Sequence, residues 1–234
     1  MKLPISNRLL ACAGFIRPGD RVADIGCDHG YLCIHLLTEG IAASCIASDI
    51  NEGPLQSAMR NARRFGVADN IAFYLSDGAR NIPRDFDVLV CAGMGGDTMI
   101  HILEQAPWLR KEQYRMILQC QSKTPMLRRY LSETGWYIGD EIVLRDGKFL
   151  YTVMEVVWNP GVPMTTGEWY FPPAILEKHP SRESAEYYRW VVKGLRIKLS
   201  GQGEKADPEI TEALAELDQL PEKPKHNWLK EETT

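Results

Sequence analysis

The sequence predicts an α/β fold in which five parallel strands are closed at one edge by an antiparallel hairpin. Strand-like and helix-like segments alternate through roughly the first 155 residues, an order that produces a parallel sheet with right-handed crossovers. Two β-rich runs then flank Asp146-Gly147, a dipeptide typical of a hairpin turn. After Trp158 the chain becomes rich in Pro and Gly and then helical, which predicts a small C-terminal helical hairpin.

Each element of the alternating part has its own sequence signal. Ser6 is a candidate N-cap for a first helix at 6–16, and Pro18-Gly19-Asp20 turns the chain into the first strand at 21–26. Glycine follows three of the later helices, as a C-terminal stop signal does. Further strands are predicted at 43–50, 70–78, 85–96 and 114–121, further helices at 31–40, 54–66, 97–106 and 123–135, and the hairpin at 136–158.

The C-terminal part is predicted to be a linker followed by two helices. Residues 159–173 (NPGVPMTTGEWYFPP) are rich in Pro and Gly, whereas 181–200 and 207–220 have helical periodicity. The apolar positions that fit an antiparallel pair are Leu195, Leu199, Ile210, Leu214, Leu217 and Leu220. We therefore expect a sheet domain at 1–160, a linker and helical hairpin at 161–234, and a charged, mobile tail from Pro221.

Composition and charge limit the classes of function. The chain has 234 residues, 44% hydrophobic and 25% charged, and a formal net charge of −4, as in a globular protein without a general basic field. A nucleic acid would therefore bind a local patch. No apolar run approaches the roughly 18 residues of a membrane span, and no leader sequence opens the chain. We expect a cytoplasmic protein that does not contact membranes.

The cysteines indicate neither a metal site nor a disulfide framework. No C-x-x-C pair occurs, and most of the cysteines lie inside apolar runs. The six are Cys12, Cys27, Cys33, Cys45, Cys91 and Cys120. Buried, reduced thiols in a cytosolic protein are the better explanation, so we predict no bound metal.

Loops at the ends of four predicted strands contain the candidate site. In an open parallel sheet, ligands bind beyond the carboxyl ends of the strands, at the switch point beside the first strand. The first strand ends in Asp24-Ile25-Gly26-Cys27-Asp28-His29-Gly30, the second in Asp49-Ile50, the third in Ser76-Asp77-Gly78 and the fourth in Ala92-Gly93-Met94-Gly95-Gly96.

The acidic character of these loops selects between two kinds of cofactor. A dinucleotide requires G-x-G-x-x-G, whose glycines bring backbone amides to a pyrophosphate. Gly26 and Gly30 do not have that spacing, and Asp28 would place a negative charge among the phosphates. S-adenosylmethionine has no phosphate and carries a positive sulfonium, so an acidic loop suits it. Asp49 is expected to accept hydrogen bonds from ribose hydroxyls, and Asp77 from the adenine amino group.

These acids also have structural explanations, which remain open at this point. Asp24 could accept backbone amides of its own loop, Asp49 could cap a helix, and Asp77 could belong to a turn. The fourth strand end could be a tight turn without substrate contact. Three acids at three consecutive strand ends are nevertheless more specific than any one of them.

With these residues in place, the sequence resembles the bacterial TrmK family of S-adenosylmethionine-dependent methyltransferases, which modify N1 of the adenine at tRNA position 22. The matching motifs are D-I-G-C-D-H-G-Y-L, S-D-I, S-D-G and A-G-M-G-G, within residues 5–158. The resemblance implies a Rossmann-like class I methyltransferase sheet, S-adenosylmethionine as cofactor and tRNA as partner. The cofactor-binding residues are then Asp24, Gly26, Cys27, Gly30, Asp49, Ile50, Asp77, Gly78, Ala92 and Gly93.

The reaction suggests roles for the remaining residues. N1 of adenine has a lone pair, so the transfer needs mainly positioning and electrostatics. Asp28 is the candidate catalytic base that stabilises the cationic product and takes a proton from its amino group, with His29 orienting it. The A-G-M-G-G run has no side-chain acceptor for an exocyclic amine. The candidate substrate-binding residues are Arg8, Tyr31, Met94, Gly95 and Gly96.

Basic residues elsewhere are candidates for tRNA phosphate contacts. Besides Arg8, they are Arg60, Arg63, Arg64, Lys123, Arg128, Arg129, Lys193, Arg196 and Lys198. Two other functions remain open: a methyltransferase for another RNA or a protein, and a module that binds S-adenosylmethionine or RNA without catalysis. A reductase is a remote alternative.

Overall fold

A seven-stranded sheet lies at the centre of the computed structural model, which describes residues 3–201 and 206–220. In chain order the strands are β1 (Arg21–Ile25), β2 (Ser44–Asp49), β3 (Ile71–Leu75), β4 (Val88–Gly95), β5 (Arg115–Ser122), β6 (Trp136–Asp146) and β7 (Phe149–Trp158). Across the sheet their order is β3-β2-β1-β4-β5-β7-β6. The first five are parallel, and β7 pairs antiparallel with β5 and β6. This confirms the predicted fold.

Five helices flank the parallel part. They are α1 (Asn7–Ala13), α2 (Tyr31–Thr38), α3 (Glu52–Arg64), α4 (Gly96–Glu104) and α5 (Thr124–Glu133). The predicted N-cap of α1 is confirmed, since Ser6 Oγ accepts a hydrogen bond from the Leu9 amide at 3.4 Å. α1 is shorter than the predicted 6–16: it ends at Ala13, and Gly14 is its C-cap.

Both faces of the sheet are buried, as in other sheets with helices on each side. Ala23 and Ile25 of β1 pack in one apolar core with α4 and α5, whereas Val22 packs in a second core with α1, α2 and α3. The carboxyl ends of the strands therefore lie between two helical layers.

The C-terminal part contains more structure than the sequence predicted. The short helix α6 (Thr166–Tyr170) lies within the expected linker at 159–173, and α7 (Ala174–Lys178) follows directly after it. The division into a linker and a helical hairpin stays a prediction. Thr165 and Glu168 form a reciprocal capping box at the start of α6, a spacing that marks helix N-termini. The two predicted helices are confirmed as α8 (Arg182–Ser200) and α9 (Pro208–Leu217).

The pairing of α9 also extends beyond the predicted hairpin. Its acidic residues bind the α6 segment: Glu209 accepts from Tyr170 at 2.7 Å and Glu212 from Thr166 at 3.0 Å. On the other side, Tyr188 of α8 donates to the Leu217 carbonyl at 2.8 Å. α9 is thus held by α6 as well as by α8.

A buried ion pair between α5 and β6 also contacts the α6 segment. Arg128 and Glu141 are 2.6 Å apart and almost fully buried, and Arg128 also donates to the Trp169 and Tyr170 carbonyls. Arg128 was predicted to contact tRNA phosphates; that prediction was wrong, because its guanidinium has no access to solvent. The domain boundary at 160/161 stays a prediction, and the tail from Pro221 lies outside the described residues.

All six cysteines are buried and unpaired, as predicted. Across 3–201 and 206–220, no helix has both the length and the apolar character of a membrane span. Nor do His, Cys, Asp and Glu side chains of that part gather in a group of three or more suited to a metal ion.

Candidate active site

A cleft of about 290 Å³ opens at the carboxyl ends of β1, β4 and β5, beside α1. It lies at the switch point of the sheet, since β1 pairs with β2 on one side and with β4 on the other. The lining residues are Ser6, Arg8, Leu9, Asp24, Gly26, Cys27, Asp28, His29, Tyr31, Ala92, Gly93, Met94, Gln119 and Gln121. Most of the predicted catalytic and substrate-binding residues are therefore brought together here.

The loop after β1 is a tight turn that presents Asp28 to solvent. Gly26, Asp28 and Gly30 have φ values of 73°, 49° and 71°, a region that Asp tolerates better than most residues other than Gly. The Gly26 and Cys27 amides both donate to the Ser48 carbonyl, at 2.8 and 2.9 Å. A Cβ at Gly30 would lie 2.9 Å from that of Ala58. The Asp28 side chain is 69% exposed.

Asp49 holds two loops in place. Its Oδ2 accepts from the Asp28 amide at 3.2 Å and its Oδ1 from the Asn51 amide at 2.9 Å. A carboxylate has about four lone-pair sites, so Asp49 retains acceptors for a ligand. Ile50 beside it is 61% exposed. Their roles in cofactor binding stay predictions.

Asp24 is a buried carboxyl group with almost no partner. In the part of the chain that the structure describes, its hydrogen-bond donor is the Cys33 thiol, with 3.8 Å between Sγ and Oδ2. The proposed alternative, acceptance of loop amides, is not found there. Burial raises its pKa to about 7; the Cys33 bond opposes this increase, and the negative charge of Asp49 adds to it. Such a group is costly unless a ligand pairs with it.

The end of β3 lies outside the cleft lining. Asp77 forms an ion pair with Arg80, with 3.1 Å between Oδ2 and Nη1. Gly78 has a φ of 59° and packs on Ile102, whose Cγ1 would lie 3.1 Å from an added Cβ. The turn predicted as an alternative is thus present, while Asp77 remains partly exposed.

The A-G-M-G-G run continues β4 through two irregular steps. Ala92 pairs with Gln119, Met94 with Cys120 and Gly95 with Ser122, so Gly93 and Gln121 are the extra residues of consecutive bulges. Bulges of this kind redirect side chains near functional sites. Ala92, Gly93 and Met94 line the cleft.

Gly95 and Gly96 do not line the cleft. An added Cβ at Gly95 would lie 3.0 Å from Ser122 Oγ, and one at Gly96 would lie 2.7 Å from the Lys123 carbonyl oxygen. Close packing against the backbone after β5 accounts for Gly96, whereas at Gly95 the atom nearest to the added Cβ is Asp97 Oδ1, at 2.8 Å. Their predicted substrate role stays a prediction.

Sequence reasoning missed four lining residues, of which two lie on β5. Gln119 is buried, and its Oε1 accepts from the Gly93 amide at 3.0 Å and from Arg8 at 3.4 Å. Gln121 is exposed. The rule that drew attention to four strand ends applies equally to the fifth, where Gln119 and Gln121 alternate with a cysteine. Ser6 and Leu9 enter from α1 without a comparable signal.

The predicted substrate-binding residues Arg8 and Tyr31 are held by different contacts, one at the hairpin turn and one within the loop after β1. Arg8 Nε lies 2.7 Å from Asp146 Oδ2, at the hairpin turn. The Tyr31 ring stacks on that of His29 with 5.4 Å between centroids. His29 Nε2 is 3.6 Å from Asp28 Oδ1, so an imidazole borders the exposed carboxylate.

The cleft fits a ligand that carries positive charge and hydrogen-bond donors. Asp24 and Asp28 line it, and Asp49 lies directly behind the loop. A pyrophosphate would be repelled by these carboxylates, whereas a sulfonium and an ammonium would be attracted. The nearly unpartnered Asp24 is the observation that best supports S-adenosylmethionine as the ligand.

Comparison with known proteins agrees with this geometry. A family model described as a methyltransferase domain matches residues 5–154. The tRNA (adenine(22)-N(1))-methyltransferase of Bacillus subtilis is 32% identical over 154 residues. The alignment spans 65% of this chain and 65% of that protein, so it covers just under two thirds of the relative's length.

Solved structures match over a longer range. Protein Sp1610 of Streptococcus pneumoniae has a TM-score of 0.79 at 28% identity, over 92% of this chain and 98% of that one. The Bacillus subtilis m1A22 tRNA methyltransferase TrmK has a TM-score of 0.76 at 27% identity, over 93% and 95%. The chain therefore belongs to the methyltransferase domain family, and within that family it is similar to the TrmK enzyme of Bacillus subtilis.

Proposed function

We propose that this protein transfers a methyl group from S-adenosylmethionine to N1 of the adenine at position 22 of tRNA. The observation that carries the proposal is that one buried carboxyl, Asp24, and one exposed carboxyl, Asp28, line the same cleft at the switch point of the sheet. The Bacillus subtilis relative is named for this reaction. Sp1610 has also been solved with S-adenosyl-L-methionine, at 27% identity and a TM-score of 0.78.

The residues at three strand ends would hold the cofactor. S-adenosylmethionine supplies an electrophilic methyl group on a positive sulfonium. From the wall of the cleft, Asp24 would compensate the positive charge of the cofactor. Gly26 and Gly30 shape the loop, because an added Cβ would collide with the Met94 side chain at Gly26 and with Ala58 at Gly30. Asp49 and Asp77 would accept hydrogen bonds from the ribose and the adenine, as the family pattern implies.

Asp28 is placed to act on the substrate. Because its side chain is exposed at the cleft, it can reach a base that enters from solvent. Methylation of N1 makes the purine cationic. A carboxylate beside the amino group would stabilise that charge and accept a proton from the nitrogen. His29, 3.6 Å away, would orient the carboxylate.

A basic face on α8 supports an RNA partner. From Tyr187 to Ser200 the helix contains no acidic residue, and its exposed cations are Arg189, Lys193, Arg196 and Lys198. Trp190 is 67% exposed and stacks on Tyr187 with 5.8 Å between ring centroids. Cations that contact phosphates and an aromatic ring that stacks on a base are the usual elements of RNA binding.

The target nitrogen lies on the Watson–Crick edge of adenine, so the base must be unpaired or drawn out of its stack.

We assign the protein to the cytoplasm, where bacterial tRNA is modified.

The test is methylation of an unmodified tRNA transcript with labelled S-adenosylmethionine, followed by mass spectrometry of the nucleosides and mapping of the modified position. We expect N1-methyladenosine at position 22 and no product from a transcript with guanine there. A product in another RNA or in a protein would replace the proposed substrate. Cofactor binding without transfer to any of these would favour the non-catalytic module.

A further inference from the structure

Two glutamines on β5 line the cleft, and they differ in whether their side-chain amides are already hydrogen-bonded. Gln119 is buried, its Oε1 accepts two hydrogen bonds and its Nε2 donates to the Cys120 carbonyl. Gln121 lines the same cleft and is exposed, and its side-chain amide forms no hydrogen bond with residues 3–201 or 206–220. The amide of Gln121 is therefore available to a ligand, whereas that of Gln119 is already used to position Gly93.

The two bulges direct Gln121 towards Gly93. Gly93 is the extra residue of β4 and Gln121 that of β5. A Cβ added at Gly93 would lie 3.5 Å from Gln121 Nε2 and 3.7 Å from Arg8 Nη1. Gly93 has a φ of 82° and no side chain. The planar amide consequently stands over a bare stretch of backbone, in the cleft that also contains Asp28 and Met94.

A free carboxamide beside a flat floor has the chemistry to recognise adenine. The amide of Gln pairs with adenine through two bonds: its oxygen accepts from the N6 amino group, and its nitrogen donates to N7. This pairing leaves N1 unblocked. Guanine has a carbonyl oxygen at C6, which would face the amide oxygen and repel it. The A-G-M-G-G run has no acceptor for the amino group, and Gln121 supplies one from the neighbouring strand.

We infer that Gln121 forms a subsite for the N6 and N7 edge of the target adenine and selects adenine over guanine. The inference rests on the proposed function. The two hydrogens of the amino group are then divided: the one next to N7 binds Gln121 Oε1, and the one next to N1 faces Asp28. Gln121 is a specificity-determining residue, and Asp28 remains the base.

The test compares adenine with 7-deazaadenine at position 22 of tRNA, in the wild type and in Gln121→Ala. Removal of N7 deletes one of the two bonds, so we expect kcat/KM of the wild type to fall by about tenfold. Gln121→Ala should be about tenfold to a hundredfold slower on adenine and insensitive to the deaza substitution. Its affinity for S-adenosylhomocysteine should equal that of the wild type, which shows that the variant is folded.

Ser122→Ala is the matched control, since Ser122 is the next residue of the strand and does not line the cleft; it should retain the full sensitivity to 7-deazaadenine. Normal wild-type activity with equal deaza sensitivity in Gln121→Ala would overturn the subsite alone. A wild type that methylates no adenine in tRNA would overturn the proposed function, and the subsite with it.

Discussion

The cleft beside β1 and the exposed face of α8 carry opposite charge. Two carboxylates line the cleft, and one of them, Asp24, is buried. On α8, four cations and a tryptophan are exposed on an open helical surface. The net charge of −4 conceals this separation. A protein can thus attract a cationic cofactor and a polyanion at the same time if the two fields lie on different elements.

The largest expected effect is that of Asp28 on the chemical step. Asp28→Asn keeps the size of the side chain and removes the base, so kcat should fall by about a hundredfold to ten-thousandfold. Affinities for S-adenosylhomocysteine and tRNA should change by no more than a few-fold. Single-turnover methylation and calorimetry measure the two quantities. Unchanged turnover with unchanged binding would remove the catalytic role.

The next effect concerns the buried ion pair between Arg128 and Glu141, which also holds the α6 segment. Arg128→Ala leaves Glu141 buried without its partner, so the free energy of unfolding should fall by about 3 to 5 kcal/mol in urea titrations. The adjacent Arg129 forms exposed ion pairs with Glu133 and Glu209. Arg129→Ala should therefore change the free energy of unfolding far less than Arg128→Ala does. Equal effects of the two variants would contradict the anchoring role of Arg128.

A smaller effect separates stacking from charge on α8. Trp190→Ala should weaken tRNA binding by about tenfold and leave its salt dependence unchanged. Lys193→Ala should weaken binding less and reduce the slope of log affinity against log salt by about 1. Both should bind S-adenosylhomocysteine normally. A tRNA affinity that does not depend on salt would exclude this face as the RNA contact.

The smallest effect is the pH dependence of cofactor binding. Because burial raises the pKa of Asp24 to about 7, the carboxyl is mostly neutral at pH 6 and mostly ionised at pH 8. The nearby thiols stay neutral, because burial raises the pKa of Cys27 and the hydrogen bond with Cys45, together with burial, raises the pKa of Cys33. A cationic ligand favours the ionised carboxylate, so affinity should rise with pH by up to about tenfold.

Calorimetry with S-adenosylmethionine at pH 6, 7 and 8 measures this change. In Asp24→Asn the affinity should be lower, and the part of the pH dependence that comes from Asp24 should vanish. An Asp24→Asn profile parallel to that of the wild type would assign the pH dependence to other groups.

The sequence alone determined the order of strands and helices, the antiparallel closure and the acidic loops. These are local properties: hydrophobic periodicity, a turn dipeptide and the residues that directly follow each strand depend on neighbours in the chain. The position of the site at the ends of β1 and β4 could be predicted from the sequence as well, because parallel strands place their carboxyl ends at one edge of the sheet.

Only the tertiary structure decided what each side chain does. Arg128 and Arg129 are adjacent and chemically identical, yet one is buried against Glu141 and the other is exposed. Gln119 and Gln121 also differ. The side-chain amide of Gln119 is hydrogen-bonded to Arg8, whereas Gln121 lies at a bulge and its amide stays free. Burial and hydrogen bonding depend on residues distant in the chain, so local patterns contain no record of them.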